Sequence, residues 1–522
     1  MKILYESHRP LALAITAFLC LAAAELVAVL FVNGGGFSYT LDDPYIHLAL
    51  AENILRGHYG VNLQEFSSPS SSVLWPFLLV PLVAFSHADL VLLGLNLLLS
   101  LGCLLLFDRV LCQADRAAGG LPLSGRVRFL FLLFFILASN LVGLNFLGME
   151  HVLQLLVVLQ MVSGLIRFSR EGVVTPAIWL AIVVAPLIRY ECLAVSGAAL
   201  LFFMLQRNIL RPLVAGLLIG ALLVAFSLFL LAIGQEYLPS SVLVKSAVVE
   251  SGLGKLTTNL GKNFVFPQAW IMLGGLLLLV RHGCRNSLPR QERQLAAVSA
   301  LAVFLHLMVG RFGWYFRYEI YMWVLEILVL LYLNRGYLKQ AVVIERRKRP
   351  IVIGMLVFLI PLEFHVESIV YGPRAAGNIY YQQYQMRRFV VDYYRDSVAV
   401  NDLGWVSFGN DHYVLDLWGL ASREAYKLRS TATSALWLVD ITRQHDVGLV
   451  MIYHNEKYFP QLPESWIKIG ELKLRDRKFT ASDTRVHFFA THPEAVGKIN
   501  ASLQQFVPTL PSGSYFDDED RL

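Results

Sequence analysis

Long apolar segments recur through the first 370 residues of this chain and restrict the folds open to it. Eleven of them approach the length of about 20 residues that an α-helix needs to cross a bilayer. The chain is 56% hydrophobic and 16% charged, with a mean hydropathy of +0.56, values that a soluble globular protein would not show. We therefore predict a polytopic α-helical membrane protein. The predicted spans are 11–32, 90–107, 129–146, 151–168, 176–189, 192–206, 213–234, 270–281, 295–310, 320–334 and 351–370.

The distribution of basic residues predicts how these helices are oriented. If the eleven helices simply alternate, the short loops rich in Lys and Arg all fall on one side, which the positive-inside rule makes cytoplasmic. Lys2 and Arg9 place the N-terminus on that side too. All the basic loops fall on one side only if the shorter apolar run 73–85, which contains Pro76 and Pro81, does not cross the membrane. We predict a juxtamembrane or re-entrant helix there, and a C-terminus outside.

The character of the chain changes after residue 370, so we predict two domains, 1–370 in the membrane and 371–522 outside it. The second part lacks long apolar runs and is long enough for a core of its own. Its patterns predict a soluble α/β domain. The predicted strands are 397–401, 414–417, 448–453 and 485–490, and the predicted helices are 380–394, 433–444 and 492–505.

Several function classes find no support in the sequence. All five cysteines lie in or next to apolar spans and none follows Arg285, so neither a disulfide framework nor a cysteine metal site is indicated. The net charge of +6 reflects membrane topology, and no nucleic-acid partner is indicated. The chain has no P-loop and no dinucleotide-binding or metalloprotease motif. Any group transfer would then depend on an activated lipid carrier.

Asp42-Asp43-Pro44, just beyond the first span, is the candidate catalytic stretch. Ionisable groups at the end of a membrane helix usually serve a function. Asp43 before Pro44 has the form of an N-cap followed by proline, with the helix ending near Gly57. That assignment leaves Asp42 free for chemistry, with His47 one helical turn from Asp43. A cap with no catalytic role is the alternative interpretation.

The other outer loops carry acidic, basic and aromatic residues that would surround one outward-facing site. Phosphate ligands are expected among the basic residues, although an arginine at a membrane interface also commonly extends to lipid headgroups. Helix capping is the alternative for the glutamates, and an interfacial belt for the aromatic residues. The phosphate-ligand candidates are Lys245, Arg189, Arg317 and Arg311, and the substrate-binding candidates are His47, Glu150, His151, Glu191, Trp314, Tyr315 and Tyr318.

These motifs together resemble those of bacterial GT-C glycosyltransferases. The stretch LDDPYIHLALAENILRGHYGVN followed by SSPSSSVLWPFLLVPL resembles their first outer loop. GMEH at 148–151, RYE at 189–191, LPSSVLVK at 238–245, RYEIY at 317–321 and VAVNDLGWVSF at 398–408 are further matches. Pro44 and the serine pair 240–241 depart from the family pattern.

The resemblance implies a glycosyltransferase of the bacterial inner membrane, similar above all to arabinofuranosyltransferases and to enzymes that glycosylate pilins. The implied partners are a polyprenyl-phosphate-linked sugar, an extracytoplasmic glycan or protein acceptor, and membrane lipid, with no cofactor. The first-loop pair Asp42 and Asp43 takes the catalytic position. In this hypothesis Asp42 removes the acceptor proton, Asp43 assists, and Lys245 with Arg189 or Arg317 neutralises the departing phosphate.

Three alternatives stay open from the sequence. Adjacent carboxylates such as Asp42 and Asp43 could hold a divalent cation. A transporter or flippase of lipid-linked sugars would use the same outer loops, although inverted repeats are not evident. A membrane-anchored binding protein would need far fewer helices than eleven.

Overall fold

The computed structural model describes residues 2–119, 122–245, 253–343 and 362–518. The first part of the chain is helical, and the last 150 residues add a mixed sheet flanked by helices. The helices before the sheet are α1 (Lys2–Val32), α2 (Asp43–Leu55), α3 (Trp75–Leu79), α4 (Ala88–Ala118), α5 (Gly125–Ala138), α6 (Leu141–Phe146), α7 (His151–Glu171), α8 (Pro176–Ile188), α9 (Leu193–Leu205), α10 (Leu210–Ala232), α11 (Ser240–Lys245), α12 (Leu253–Asn263), α13 (Pro267–Gly283), α14 (Arg290–Val309), α15 (Ile320–Leu333), α16 (Arg335–Val343) and α17 (residues 362–370).

Apolar helices of membrane-spanning length are present, as predicted. Within the described ranges, five helices are long and apolar enough to cross a bilayer, namely α1 from Arg9 onward, α4, α7, α10 and α14. The apolar helices α8 and α15, and the segment Tyr190–Leu205 that contains α9, are shorter. The count of eleven spans and the orientation stay predictions, and residues 351–361 of the last predicted span lie outside the described ranges.

One predicted span is broken in the structure. The segment 129–146 divides into α5 and α6 around Asn140, whose φ of 48° lies in the left-handed region. The Asn140 side chain donates to the Tyr315 carbonyl at 3.3 Å and accepts from the Ser368 hydroxyl at 2.8 Å. Distant parts of the chain therefore hold the break, which hydropathy alone does not reveal. The run 73–85 forms only α3 and the 3₁₀ turn Leu82–Ala84.

A six-stranded sheet organises the C-terminal part. Its order is β2-β1-β3-β5-β4-β6, with β1 parallel to β2 and β3 and the other neighbours antiparallel. Helices cover both faces of the sheet. The strands are β1 (Val398–Val400), β2 (Val414–Asp416), β3 (Leu449–Ile452), β4 (Ile467–Leu474), β5 (Arg485–Ala490) and β6 (Ser514–Asp517). The helices are α18 (Gly372–Tyr381), α19 (Gln383–Arg388) with the π-helical turn Phe389–Tyr394, α20 (Gly404–Ser407), α21 (Arg423–Thr431), α22 (Leu436–Gln444) and α23 (Pro493–Phe506).

Strands β4 and β6 and helices α20 and α21 were not predicted. Strand β4 reads IKIGELKL, and its glycine and charges obscure the pattern expected of a core strand. Glu471 in this strand is nonetheless buried, because it pairs with Lys468, Lys473 and His487 at 2.8, 3.1 and 3.0 Å. The pairing becomes visible only once β4 lies beside β5.

The C-terminal part that carries the sheet, residues 372–517, is called the sheet domain below. Helix α2 lies between it and the membrane helices. Tyr45 and Leu48 pack into the core of the helical part, whereas Ile46 and Ala49 pack into the core beneath the sheet. Every side chain from residue 44 to residue 51 is buried. Helix α2 thus belongs to both cores, and the boundary at residue 370 stays a prediction.

Helix α20 of the sheet domain closes directly over the start of α2. The Trp405 ring stacks on the Tyr45 ring with centroids 3.7 Å apart, and its Nε1–H donates to the Ser38 hydroxyl at 3.3 Å. Gly404 fits because it has no side chain, since a Cβ there would lie 2.1 Å from the Asp42 carbonyl oxygen. The two backbones therefore meet in direct contact.

This contact makes Gly404→Ala a test of the docking. The added methyl group forces the backbones apart, and we expect a loss of about 1–3 kcal/mol of stability, with faster proteolysis near α20. Thermal unfolding in detergent and limited proteolysis measure both effects. The control is Gly497→Ala on the exposed face of α23, where no atom lies within 4 Å of the added Cβ. Helix propensity predicts stabilisation there, by about 1 kcal/mol, and equal behaviour of the two variants would contradict the docking.

Candidate functional site

A large cavity opens where α2, the start of α9, the end of α14 and the 311–318 loop meet. Its volume, measured to include the open mouth, is about 1690 Å³. Its wall contains both charged or hydroxyl groups and aliphatic side chains. The lining residues are Asp43, Ile46, His47, Pro69, Ser71, Met149, Arg189, Tyr190, Glu191, Leu193, Ala194, Leu238, Ser241, Val242, Asn259, Leu305, Val309, Arg311, Arg317, Tyr318 and Leu420.

Asp43 reaches this cavity from the first position of α2. Its carboxylate accepts a hydrogen bond from Arg317 Nη2 at 2.7 Å, and the side chain is 29% exposed while that of Arg317 is 2% exposed. The N-terminal end of a helix favours a negative charge. Asp43 is therefore an ion-paired carboxylate with access to whatever enters the cavity.

Arg317 is buried with two of its nitrogens left without a partner. Nη2 donates to Asp43 and, at 3.1 Å, to the Tyr318 hydroxyl, whereas Nε and Nη1 have no hydrogen-bond partner. Burial lowers the pKa of this guanidinium, but the Tyr318 and Asp43 oxygens more than offset it, so the pKa stays raised. A buried, charged arginine with unmade hydrogen bonds is costly in an apolar surrounding. Its Nε and Nη1 groups can donate to an anion.

The backbone before Arg317 is held in an unusual conformation. Trp314, Tyr315 and Phe316 have φ values of 49°, 61° and 52°, a left-handed turn that costs L-residues about 1–2 kcal/mol each. Gly313 N–H donates to Glu319 Oε2 at 3.1 Å, and Asn140 holds the Tyr315 carbonyl. These bonds fix the turn, and the turn directs Arg317 inward.

Arg189 is also buried, but its charge is already balanced. Its guanidinium donates to Glu150 Oε1 at 2.5 Å and to both oxygens of Glu191 at 2.8 and 3.2 Å. The Tyr318 ring lies between the two arginines, 5.5 Å from the Arg189 Cζ and 5.0 Å from the Arg317 Cζ. Arg189 thus stiffens the wall, whereas Arg317 retains unused donors. Arg311 is exposed at the rim.

The two aspartates have different partners in the structure, and their catalytic roles stay predictions. Asp42 is the N-cap by position, one residue earlier than predicted, and its side chain does not cap the helix. Its Oδ2 and Oδ1 instead accept the backbone N–H groups of Gly404 and Trp405 at 2.7 and 2.9 Å. Burial and the charge of Asp402 raise the pKa of Asp42, and these N–H groups oppose the rise. Asp42 therefore fixes the sheet domain to α2 and does not line the cavity.

The same geometry bears on the suggested divalent cation. Both oxygens of Asp42 point at the backbone of α20, whereas Asp43 points at Arg317. The two carboxylates are therefore held by different partners. Among the described residues, no group of three or more His, Cys, Asp or Glu side chains could hold a metal ion.

The remaining predicted residues fall into two sets. His47, Arg189, Glu191, Arg311, Arg317 and Tyr318 join Asp43 in the cavity wall. Glu150 and His151 are buried behind it, with the His151 ring 6.0 Å from that of Tyr318. Trp314 is half exposed, and Tyr315 lines a separate small pocket near Asn140. The side chain of Lys245, at the end of α11, lies outside the described residues.

Several residues of the site were not predicted. Tyr190 lies in the RYE motif and lines the cavity, and its hydroxyl has no hydrogen-bond partner. No role was predicted for it from the sequence. Leu420 belongs to the sheet domain and lines the cavity. Because leucine is apolar, nothing in the sequence predicted a role for it. Gly404 and Trp405 lie in the segment whose resemblance was noted without a function for these positions. Only their contact with Asp42 reveals what they do.

Comparison with known proteins gives one family match and a few structural neighbours. Residues 377–489 match a family model described as a domain of unknown function, DUF8728. No curated protein matches the chain. The fold is similar to that of the apo oligosaccharyltransferase of Archaeoglobus fulgidus, with a TM-score of 0.43 and 10% identity over 87% of this chain and 73% of that chain.

The fold is also similar to that of the mycobacterial arabinofuranosyltransferase AftD. The TM-score is 0.41 at 14% identity over 93% of this chain and 40% of that chain, and a variant of AftD gives 0.43 over 93% and 42%. The chain therefore spans less than half the length of AftD.

The division between the two aspartates predicts different effects on stability. Asp42→Ala leaves the N–H groups of Gly404 and Trp405 unpaired, and we expect it to destabilise the protein by about 1–3 kcal/mol. Asp43→Asn keeps an oxygen that can accept from Arg317 Nη2 and leaves the contact with α20 intact, so its effect should be clearly smaller. Thermal unfolding of the two variants in the same detergent measures the difference. Equal or reversed losses would contradict a docking role for Asp42.

Proposed function

We propose that this chain is a membrane glycosyltransferase that moves a sugar from a polyprenyl-phosphate carrier to an acceptor hydroxyl outside the cytoplasmic membrane. The observation that carries the proposal is the pairing of Asp43 with Arg317, whose Nε and Nη1 have no partner, in the wall of a large cavity. A base and an anion site in contact are what such a transfer needs.

The aliphatic side chains of the cavity wall suit a lipid carrier. Leu193 opens α9, while Leu305 and Val309 lie in the last turns of α14, and they are 44%, 36% and 43% exposed. Exposed aliphatic residues on apolar helices are expected to face lipid. A polyprenyl chain could therefore lie along this wall, which places its phosphate within reach of the polar groups.

The proposed step is a single displacement at the anomeric carbon. Asp43 accepts the proton of the acceptor hydroxyl, the acceptor oxygen forms a bond to the anomeric carbon, and the bond from that carbon to the phosphate oxygen breaks. The phosphate leaves with the electron pair, and Arg317 stabilises the added charge through Nε and Nη1. The products are a glycosylated acceptor and polyprenyl phosphate, with the transferred proton on Asp43.

The acceptor would enter from the side of the sheet domain. Leu420 of that domain and Ile46 and His47 of α2 form this part of the wall. His47 stands one helical turn beyond Asp43, so a hydroxyl bound beside His47 lies near the base. Arabinofuranose is the donor sugar that we propose on the sequence resemblance, with a glycan or a protein such as a pilin as acceptor.

Asp43→Asn tests the base. The amide keeps the size of the side chain but cannot accept the proton, and we expect transfer to fall about 10²–10⁴-fold with donor binding retained. Transfer of radiolabelled sugar from synthetic polyprenyl-phosphate sugars by purified protein in lipid measures the rate. Asp411→Asn is the control, because this aspartate is 79% exposed and pairs with Arg56 away from the cavity. Unchanged turnover in Asp43→Asn would refute the assignment.

Arg317→Gln tests the phosphate site separately. It removes the charge and the unused donors, and we expect donor affinity to fall about 10–150-fold, the equivalent of one charge-assisted hydrogen bond. Arg56→Gln, at an arginine 49% exposed outside the cavity, should bind donor normally. Binding of a fluorescent polyprenyl-phosphate sugar measures this effect without turnover. Wild-type affinity in Arg317→Gln would place the phosphate elsewhere.

The same cavity could also carry a lipid-linked sugar across the membrane without reaction. That alternative predicts donor binding and lipid translocation but no transfer by the wild-type protein. The two assays above therefore distinguish an enzyme from a transporter.

A further inference from the structure

A second polar cavity lies at the other end of α7 from the candidate active site. Its volume is about 1000 Å³. Helix α7 begins at the active-site wall and has 21 residues, so its far end lies about 30 Å away, the thickness of a bilayer core. The lining residues are Arg109, Gln113, Arg116, Gln160, Ser163, Gly164, Arg167, Glu171, Thr175 and Ala177.

Two polar stripes form this cavity. Arg109, Gln113 and Arg116 are spaced i, i+4 and i+7, so they share one face of α4. Gln160, Ser163 and Arg167 are spaced i, i+3 and i+7, so they share one face of α7. The stripes meet where Gln113 Nε2 approaches the Ser163 hydroxyl at 3.5 Å. Polar stripes inside two helices of membrane-spanning length are costly and usually functional.

The charge balance of this cavity is positive. Neither Arg109 nor Arg116 forms an ion pair with any described residue. The neighbouring acidic residues are already engaged elsewhere, since Asp108 pairs with Arg128 and Asp115 pairs with Lys339. Only Glu171 among the lining residues is acidic, and it is shared by Arg167 and Arg170.

Gln113 supplies a second, independent sign of a missing ligand. The residue is 5% exposed, and its Oε1 atom is buried without a hydrogen-bond partner. A buried amide oxygen normally accepts a hydrogen bond. A ligand that carries both an anionic group and a hydroxyl would satisfy the two arginines and Gln113 together.

We propose that this cavity binds the headgroup of an anionic phospholipid of the opposite leaflet. Arg109 and Arg116 hold the phosphodiester, and Gln113 Oε1 accepts from a headgroup hydroxyl such as those of phosphatidylglycerol. The cavity opens between two apolar helices, so acyl chains can remain in the bilayer. The site is separate from the active site, and its occupancy ties α4 to α7 at that surface.

Native mass spectrometry of the full chain in detergent tests this proposal. Phosphatidylglycerol and phosphatidylcholine are added at equal concentration, and the wild-type protein is expected to retain the anionic lipid preferentially. The double variant Arg109→Gln/Arg116→Gln should retain at least about tenfold less phosphatidylglycerol than the wild type. Arg126→Gln, at an exposed arginine in the first turn of α5 that does not line the cavity, should retain the lipid normally. Equal retention by the double variant would overturn the proposal.

Two further arms complete the experiment. Inorganic phosphate is titrated against bound phosphatidylglycerol, and displacement at an affinity equal to that of the lipid would show that free phosphate is the ligand and overturn the lipid assignment. If the double variant fails to fold, Arg109→Lys/Arg116→Lys and the salt dependence of the wild type replace it. Retention should then persist with lysine and fall as salt rises, and retention independent of salt would also overturn the proposal.

Discussion

The burial of residues 44–51 of α2 between two cores is the constraint on which the rest of the structure depends. The charged groups at the start of this helix find partners within the protein. Asp42 does so through the backbone of α20, and Asp43 does so through Arg317. The same junction therefore attaches the sheet domain and presents a carboxylate to the cavity.

Arg317 is the complementary element of the site. Three consecutive left-handed residues precede it, and this strain is sustained by Gly313, Glu319 and Asn140 around the turn. Strained backbone that the surroundings hold in place is typical of functional sites. The contrast with Arg189 is informative, because an arginine enclosed by two glutamates has little left to offer a phosphate. Burial alone would not distinguish the two residues, but their hydrogen-bond partners do.

The sequence predicted the helical class and the C-terminal sheet, because these depend on hydropathy and strand periodicity. Seven of the candidate site residues line the cavity, and their roles stay predictions. The sequence did not reveal that the backbone of α20 engages Asp42. Which carboxylate is engaged depends on Gly404 and Trp405, about 360 positions away along the chain. The break at Asn140 and the buried Glu471 of β4 escaped prediction for the same reason, since each is stabilised by partners that only the folded chain supplies.

The most direct test of the proposed function is a structure of the full chain in lipid with a synthetic polyprenyl phosphate bound. We expect the phosphate oxygens to accept hydrogen bonds from Arg317 Nε and Nη1, the polyprenyl chain to lie along Leu193, Leu305 and Val309, and Asp43 to stay beside the phosphate. A phosphate bound away from Arg317, or a lipid chain that does not enter this cavity, would contradict the proposed function.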